Sequence, residues 1–129
     1  MKWTKLCELA ARLPEVTVGT WYGTPGLLVA GKGFVRLKED RTSVVFLTAD
    51  MDEREALLTA RPKIYFITDH YENYPAVLAR LAALPVGEAL TRLERSWRQK
   101  AKPALVQRLD AEVTPRYRKA RRKSVKSAR

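Results

Sequence analysis

Turn-forming clusters interrupt the stretch from Val16 to Thr48 at Gly23-Thr24-Pro25-Gly26, at Gly31-Lys32-Gly33 and at Glu39-Asp40-Arg41-Thr42. The pieces between them are rich in Val, Leu, Phe and Trp, side chains that suit a pleated, half-buried surface. Segments this short, joined by so few residues, can pair only with their immediate neighbours, so the stretch predicts an antiparallel meander of about four strands. Helical spacing flanks it on both sides. Leu6, Leu9, Ala10 and Leu13 fall at i, i+3, i+4 and i+7, which predicts an amphipathic helix over residues 2–13 that Pro14 stops. Asp50 with Glu53 three residues on forms an N-cap signature, and Arg61-Pro62 closes the segment, so a helix is expected over 51–60. Lys63–Thr68 and Ala76–Leu81 read as two more strands around the loop 69–75. Leu90, Leu93 and Trp97 place a helix over about 87–101, and Pro103 suits the first turn of another short one. The order α-β-β-β-β-α-β-β-α predicts an α+β fold, a twisted antiparallel sheet of about five to six strands with flanking helices.

The basic residues are placed unevenly. Of the 25 Lys and Arg, residues 1–97 hold 13 against 12 acids, a balance of +1, whereas residues 98–129 hold 12 against 2, a balance of +10. Within that second part, 113–129 carries eight basic residues, no acid and no apolar periodicity. It is expected to be a disordered basic arm, with Arg116, Arg118, Lys119, Arg121, Arg122 and Lys123 as candidate phosphate contacts, following a folded domain over 1–112. The lone Cys7 excludes a disulfide framework and a Cys-rich zinc site. No apolar run approaches the roughly 18 residues of a membrane span, and the first residues lack a signal-peptide core, so the reading is a cytoplasmic protein without a membrane partner.

No catalytic set assembles in the sequence. Gly26 to Lys32 matches a phosphate-binding P-loop by spacing, but Gly33 stands where a Ser or Thr would reach magnesium, and the segment reads as strand and hairpin. His70 is the only histidine, and no serine carries a nucleophile-elbow context. Asp50, Asp52, Glu53 and Glu55 sit at a helix start, where the macrodipole accounts for them. No cofactor is expected. Two segments look like contact surfaces. The loop 69–75 gathers His70, Tyr71, Asn73 and Tyr74, although its tyrosines could equally pack over the sheet. Trp21 and Tyr22 form the second, one facing inward and the other outward if the strand alternates. Lys32, Arg36, Lys38 and Arg41 fall in or beside hairpin turns, with Arg36 and Lys38 on one strand face, and such hairpins can act as basic wings against a phosphate backbone.

Gly19-Thr20-Trp21-Tyr22-Gly23-Thr24-Pro25, Gly31 to Leu37, His70-Tyr71, Tyr74 to Leu81 and Ser96-Trp97-Arg98, in this order over about residues 3–109, resemble the MmcQ/YjbR family. Tyr22 is an extra residue within what is commonly a Trp-Gly-Thr-Pro run. The resemblance implies a frataxin-like (CyaY-like) α+β domain that binds DNA through a double wing, without catalysis, and it carries onto Trp21, Gly23, Pro25, Lys32, Arg36, His70, Tyr71, Tyr74, Pro75, Arg80 and Trp97. A frataxin-like metal role is not expected, because the first helix offers only Glu8 where an acidic ridge is needed. Two functions follow. The first is a small bacterial-type DNA-binding protein, with hairpin contacts to phosphates, Trp21 or Tyr71 stacking on bases and the arm adding sequence-independent affinity. The second is a ligand- or protein-binding module in which Trp21, Arg36, His70, Tyr71, Tyr74 and Arg80 line a concave site. A clustered pocket favours the second, and a convex basic face continuous with the arm favours the first.

Overall fold

The computed structural model describes residues 1–112; the arm residues Arg116, Arg118, Lys119, Arg121, Arg122 and Lys123 lie outside the described residues. Helix α1 (Trp3–Ala10) leads into the strands β1 (Val16–Trp21), β2 (Thr24–Val29), β3 (Lys32–Leu37) and β4 (Ser43–Leu47). Helix α2 (Met51–Ala60), β5 (Tyr65–Phe66), a 3-10 turn (Asp69–Tyr71), β6 (Ala76–Arg80), a second 3-10 turn (Leu81–Ala83) and α3 (Val86–Arg98) follow, and residues 103–112 form a fourth helix, α4. The strands make one antiparallel sheet in the order β1-β2-β3-β4-β6-β5, the α+β architecture anticipated from the turn spacing. Helix α2 begins as its sequence dictates: the Asp50 side chain accepts a hydrogen bond from Glu53 N at 2.8 Å.

The third meander turn stands at Glu39-Asp40-Arg41-Thr42 as anticipated, but the first two are shifted toward the N-terminus of their clusters. Tyr22-Gly23 and Ala30-Gly31 are the central pairs of the first two hairpins, all four at positive φ between 49° and 81°, as two-residue type I′ turns require. Thr24, Pro25 and Gly26 therefore belong to β2, and Lys32 and Gly33 to β3. Helix α1 is shorter than its apolar spacing suggests, because its last turn tightens before Pro14, with Leu13 N bonding to Ala10 O at 3.0 Å. β5 keeps only two of the six residues anticipated for it.

The main core lies between one face of the sheet and the helices α1 and α3, and it buries Leu27, Val35, Leu37, Val44, Phe46 and Val77 against Leu6, Ala10, Leu93 and Trp97. A β-bulge breaks the β2–β3 register between Leu27 and Leu28. It sends two successive side chains, Phe34 and Val35, into this core and turns Gly33 and Arg36 to the opposite face. Ser96 of α3 bonds at the bulge. Its hydroxyl donates to Phe34 O and accepts from Leu47 N at 2.8 Å, stitching α3 to two strands. The neighbouring Trp97 donates its indole N–H to Pro14 O at 3.0 Å, which fixes the chain between α1 and β1. Ser96 and Trp97 thus serve the fold.

Candidate functional site

Register brings Gly26, Arg36, Val45, Leu78 and Phe66 into one row across the sheet, on the face turned away from α1 and α3. Val45, Ala76 and Leu78 form a small second apolar cluster there, partly covered by Phe66 and Tyr71. Between the first hairpin and the loop after β5 the face opens into a cavity of about 490 Å³. Val45, Leu47 and Ala76 line it together with Trp21, Tyr22, Arg36, Glu39, His70, Tyr71 and Tyr74.

Trp21 reaches this face because two glycines leave room for it. A Cβ on Gly33 would lie 2.3 Å from the indole, and one on Gly26 would lie 3.1 Å from Trp21 Cβ. These glycines therefore seat a ring rather than turn the chain. Tyr22 sits in the type I′ turn, where strand alternation no longer applies, so both aromatic residues line the cavity and neither enters the core. Their ring centroids are 5.6 Å apart. This corrects the expectation that one of the pair faces inward.

The loop 69–75 forms the second wall, and a buried cation holds it. Arg54 of α2, 5% exposed, donates from Nη1 to the carbonyl oxygens of Tyr71 at 2.9 Å, Glu72 at 2.8 Å and Tyr74 at 3.2 Å. Pro75 follows in a three-residue turn closed by Ala76 N to Tyr74 O at 2.8 Å. So held, the loop lays Tyr71 half-buried over the sheet and leaves His70 edge-on to it, with ring centroids 4.9 Å apart, while Tyr74 stays 63% exposed at the rim. Arg54 was not singled out from the sequence. A charged residue with Ala56, Leu57 and Leu58 following it reads as the solvated side of a short helix.

Arg36 stands between the two walls. It is 7% exposed, an interior strand residue rather than a turn charge, with Nη1 donating to Glu39 Oε1 at 2.9 Å and Thr24 Oγ1 at 3.2 Å, and Nη2 reaching the Tyr71 hydroxyl at 3.4 Å. Lys38 lies on the same strand face, as the period of two requires, with Nζ 5.4 Å from the Tyr71 ring centre and 3.3 Å from Glu39. Burial opposes the Arg36 charge, but its bonds to Glu39 and Tyr71 outweigh that and raise its pKa. The same Arg36 bond lowers the exposed Glu39 carboxyl from 4.5 to about 2. A carboxylate lowered on folding stabilises the fold above its unfolded pKa and loses that contribution as pH falls toward the folded value. Wild type and Glu39→Gln are therefore expected to differ in urea midpoint at pH 6, and to converge between pH 4.5 and 2. A difference that stays constant across this window would contradict the Arg36–Glu39 pairing.

The structure thus brings together Trp21, Arg36, Lys38, His70, Tyr71 and Tyr74. It places three other basic candidates elsewhere. Lys32 is exposed at the start of β3, beside the Ala30-Gly31 turn at the far end of the hairpin. Arg41 is exposed in the β3–β4 turn, at a φ of 60°. Arg80 lies over Phe66, 4.4 Å from its ring centre, and donates to Pro62 O and Lys63 O. Among the described residues, no three His, Cys, Asp or Glu side chains gather as metal ligands, and no helix is long and apolar enough to cross a membrane.

A family model described as YjbR matches residues 11–99, which takes in the whole sheet, α2 and the whole of α3. The chain belongs to the YjbR family. The bulge, the Ser96 and Trp97 anchors and both walls of the cavity all fall within the YjbR match. The chain is also similar to "Uncharacterized protein Rv2570" of Mycobacterium tuberculosis and "Uncharacterized protein Mb2600" of Mycobacterium bovis, 37% identical to each over 59 residues. That similarity covers 46% of this chain and 46% of each relative, so the chain spans just under half the length of the curated relatives it matches.

Proposed function

We propose that this protein is a non-catalytic binding module whose cavity, around Trp21, Arg36, His70 and Tyr71, takes a small planar ligand. One observation carries this reading: five aromatic rings from two separate segments converge with a buried guanidinium over an apolar floor. A concave, largely apolar site with a few fixed polar groups is the usual form of a small-molecule pocket, and about 490 Å³ lies within the usual range of such pockets. The reading also includes a cytoplasmic location, which suits a single half-buried Cys7 whose pKa burial raises. Trp21 emission tests it: planar aromatic compounds should change the emission of the wild type and leave that of Trp21→Phe unchanged, since Trp3 and Trp97 lie outside the cavity. An unchanged response in Trp21→Phe would place the binding elsewhere.

DNA binding is the second reading, and the uneven placement of charge favours it: 12 of 25 basic residues follow position 97. Each phosphate neutralised adds about −0.9 to the slope of log K against log salt, so an arm that engages half of its eight charges accounts for a slope of about −3 to −4. Duplex titrations of the full chain and of a chain ending at residue 112 are expected to differ by most of that slope. Identical slopes would remove the arm from the reading.

A further inference from the structure

The Arg36 guanidinium has five N–H groups, and its internal partners occupy one side of it. Nη1 is taken by Glu39 and Thr24, while Nη2 has only the Tyr71 hydroxyl at 3.4 Å, a long contact. Among the described residues no acceptor meets Nε. The edge formed by Nε and Nη2, whose two parallel N–H groups match a carboxylate, is thus left nearly unused on a residue that lines the cavity. The fork opens to the cavity rather than into a sealed interior, since the fully buried side-chain nitrogen without a partner among the described residues is Nε of Arg92, so a ligand can reach it. The charge of the ion-paired groups around it is also countable: Arg36 and Lys38 against Glu39 leave one positive charge.

We propose that the cavity selects a planar aromatic monocarboxylate, the carboxylate taking the Nε–Nη2 edge of Arg36 and the ring lying between Trp21 and Tyr71. This deepens the binding-module reading and rests on it. A single negative charge neutralises the site. A ligand carrying several phosphates does not, because among the described residues no Lys or Arg besides Arg36 and the neighbouring Lys38 borders the cavity. Glu39 stays on Nη1 and completes the opposite side of the guanidinium, so ligand and Glu39 share one cation without competing for the same N–H groups.

Calorimetric titration of the full chain with indole-3-acetate, neutral indole and acetate tests the proposal. Indole-3-acetate is expected to bind about ten- to a hundredfold more tightly than indole, the worth of a charge-assisted bond, and acetate alone should give no heat. In Arg36→Met that preference should disappear while indole still binds. Arg36→Lys, which keeps the charge but lacks the fork, should lose most of it, and it stands in if the Met variant does not fold. Equal affinity for indole and indole-3-acetate in the wild type would overturn the carboxylate assignment and leave the binding module intact. Failure of both rings to bind would overturn the binding module as well. A preference unchanged in Arg36→Lys would show that bulk charge, not the fork, does the selecting.

Discussion

Replacing Ser96 by alanine is expected to destabilise the fold by about 2 to 4 kcal/mol, a large effect for the loss of one oxygen atom. Ser96 is fully buried, and its hydroxyl is the partner of two backbone groups on different strands, Phe34 O and Leu47 N. Both lose that partner in the variant, and a buried unsatisfied group costs about 1 to 3 kcal/mol. Water cannot readily replace the hydroxyl under a core that includes Phe34, Phe46 and Trp97. Thr91 on the same helix is the control. Its hydroxyl bonds to Gly87 O on the exposed side, so Thr91→Ala should stay within about 0.5 kcal/mol. Urea unfolding of both variants decides it, and equal small effects would mean that the bulge is satisfied in some other way.

Arg54→Met should dissolve the loop wall of the cavity while leaving the sheet in place. The side chain is buried, and one nitrogen serves three loop carbonyls, so its removal takes away the interaction that gives residues 71–74 their shape. Breaking a buried charge from its partners costs about 3 to 5 kcal/mol when they stay dry; here the freed carbonyls can turn to solvent, and about 2 to 3 kcal/mol is expected. The functional loss should be larger than the loss of stability, because Tyr71, His70 and Tyr74 all leave their places together. Hydrogen exchange should show the amides of 69–75 losing protection while those of β3 and β4 keep theirs, with binding of planar aromatics abolished. Undiminished binding would show that the loop is held by its own packing and that Arg54 is not a positioning residue.

Local signals in this chain were legible where they act locally. The apolar spacing of α1, the Asp50–Glu53 cap of α2 and the hairpin-length gaps of the meander each concern residues a few positions apart, and each gave its element. The first two turns were displaced because Tyr22 and Ala30 accept a left-handed conformation that the usual Asn or Asp would advertise, while the more conspicuous Thr24-Pro25-Gly26 runs on as strand. Gly33 shows why half of the site was hidden. Its absence of a side chain matters only because Trp21, twelve residues earlier, folds across two strands onto it. Arg36 and Tyr71 were legible as candidates, but their pairing needs the β3–β4–β6 register and the Arg54 bonds, which no local pattern encodes.

A titration of the isotopically labelled full chain with indole-3-acetate, followed in amide and side-chain N–H correlation spectra, tests the assignment of this cavity most directly. The indole N–H of Trp21, the Nε–H of Arg36, the Gly33 amide and the amides of 69–76 should move together and saturate with a single affinity. Shifts confined to another surface, such as the groove of Leu9, Leu13 and Leu90 between α1 and α3, would contradict it, as would spectra that do not change at all.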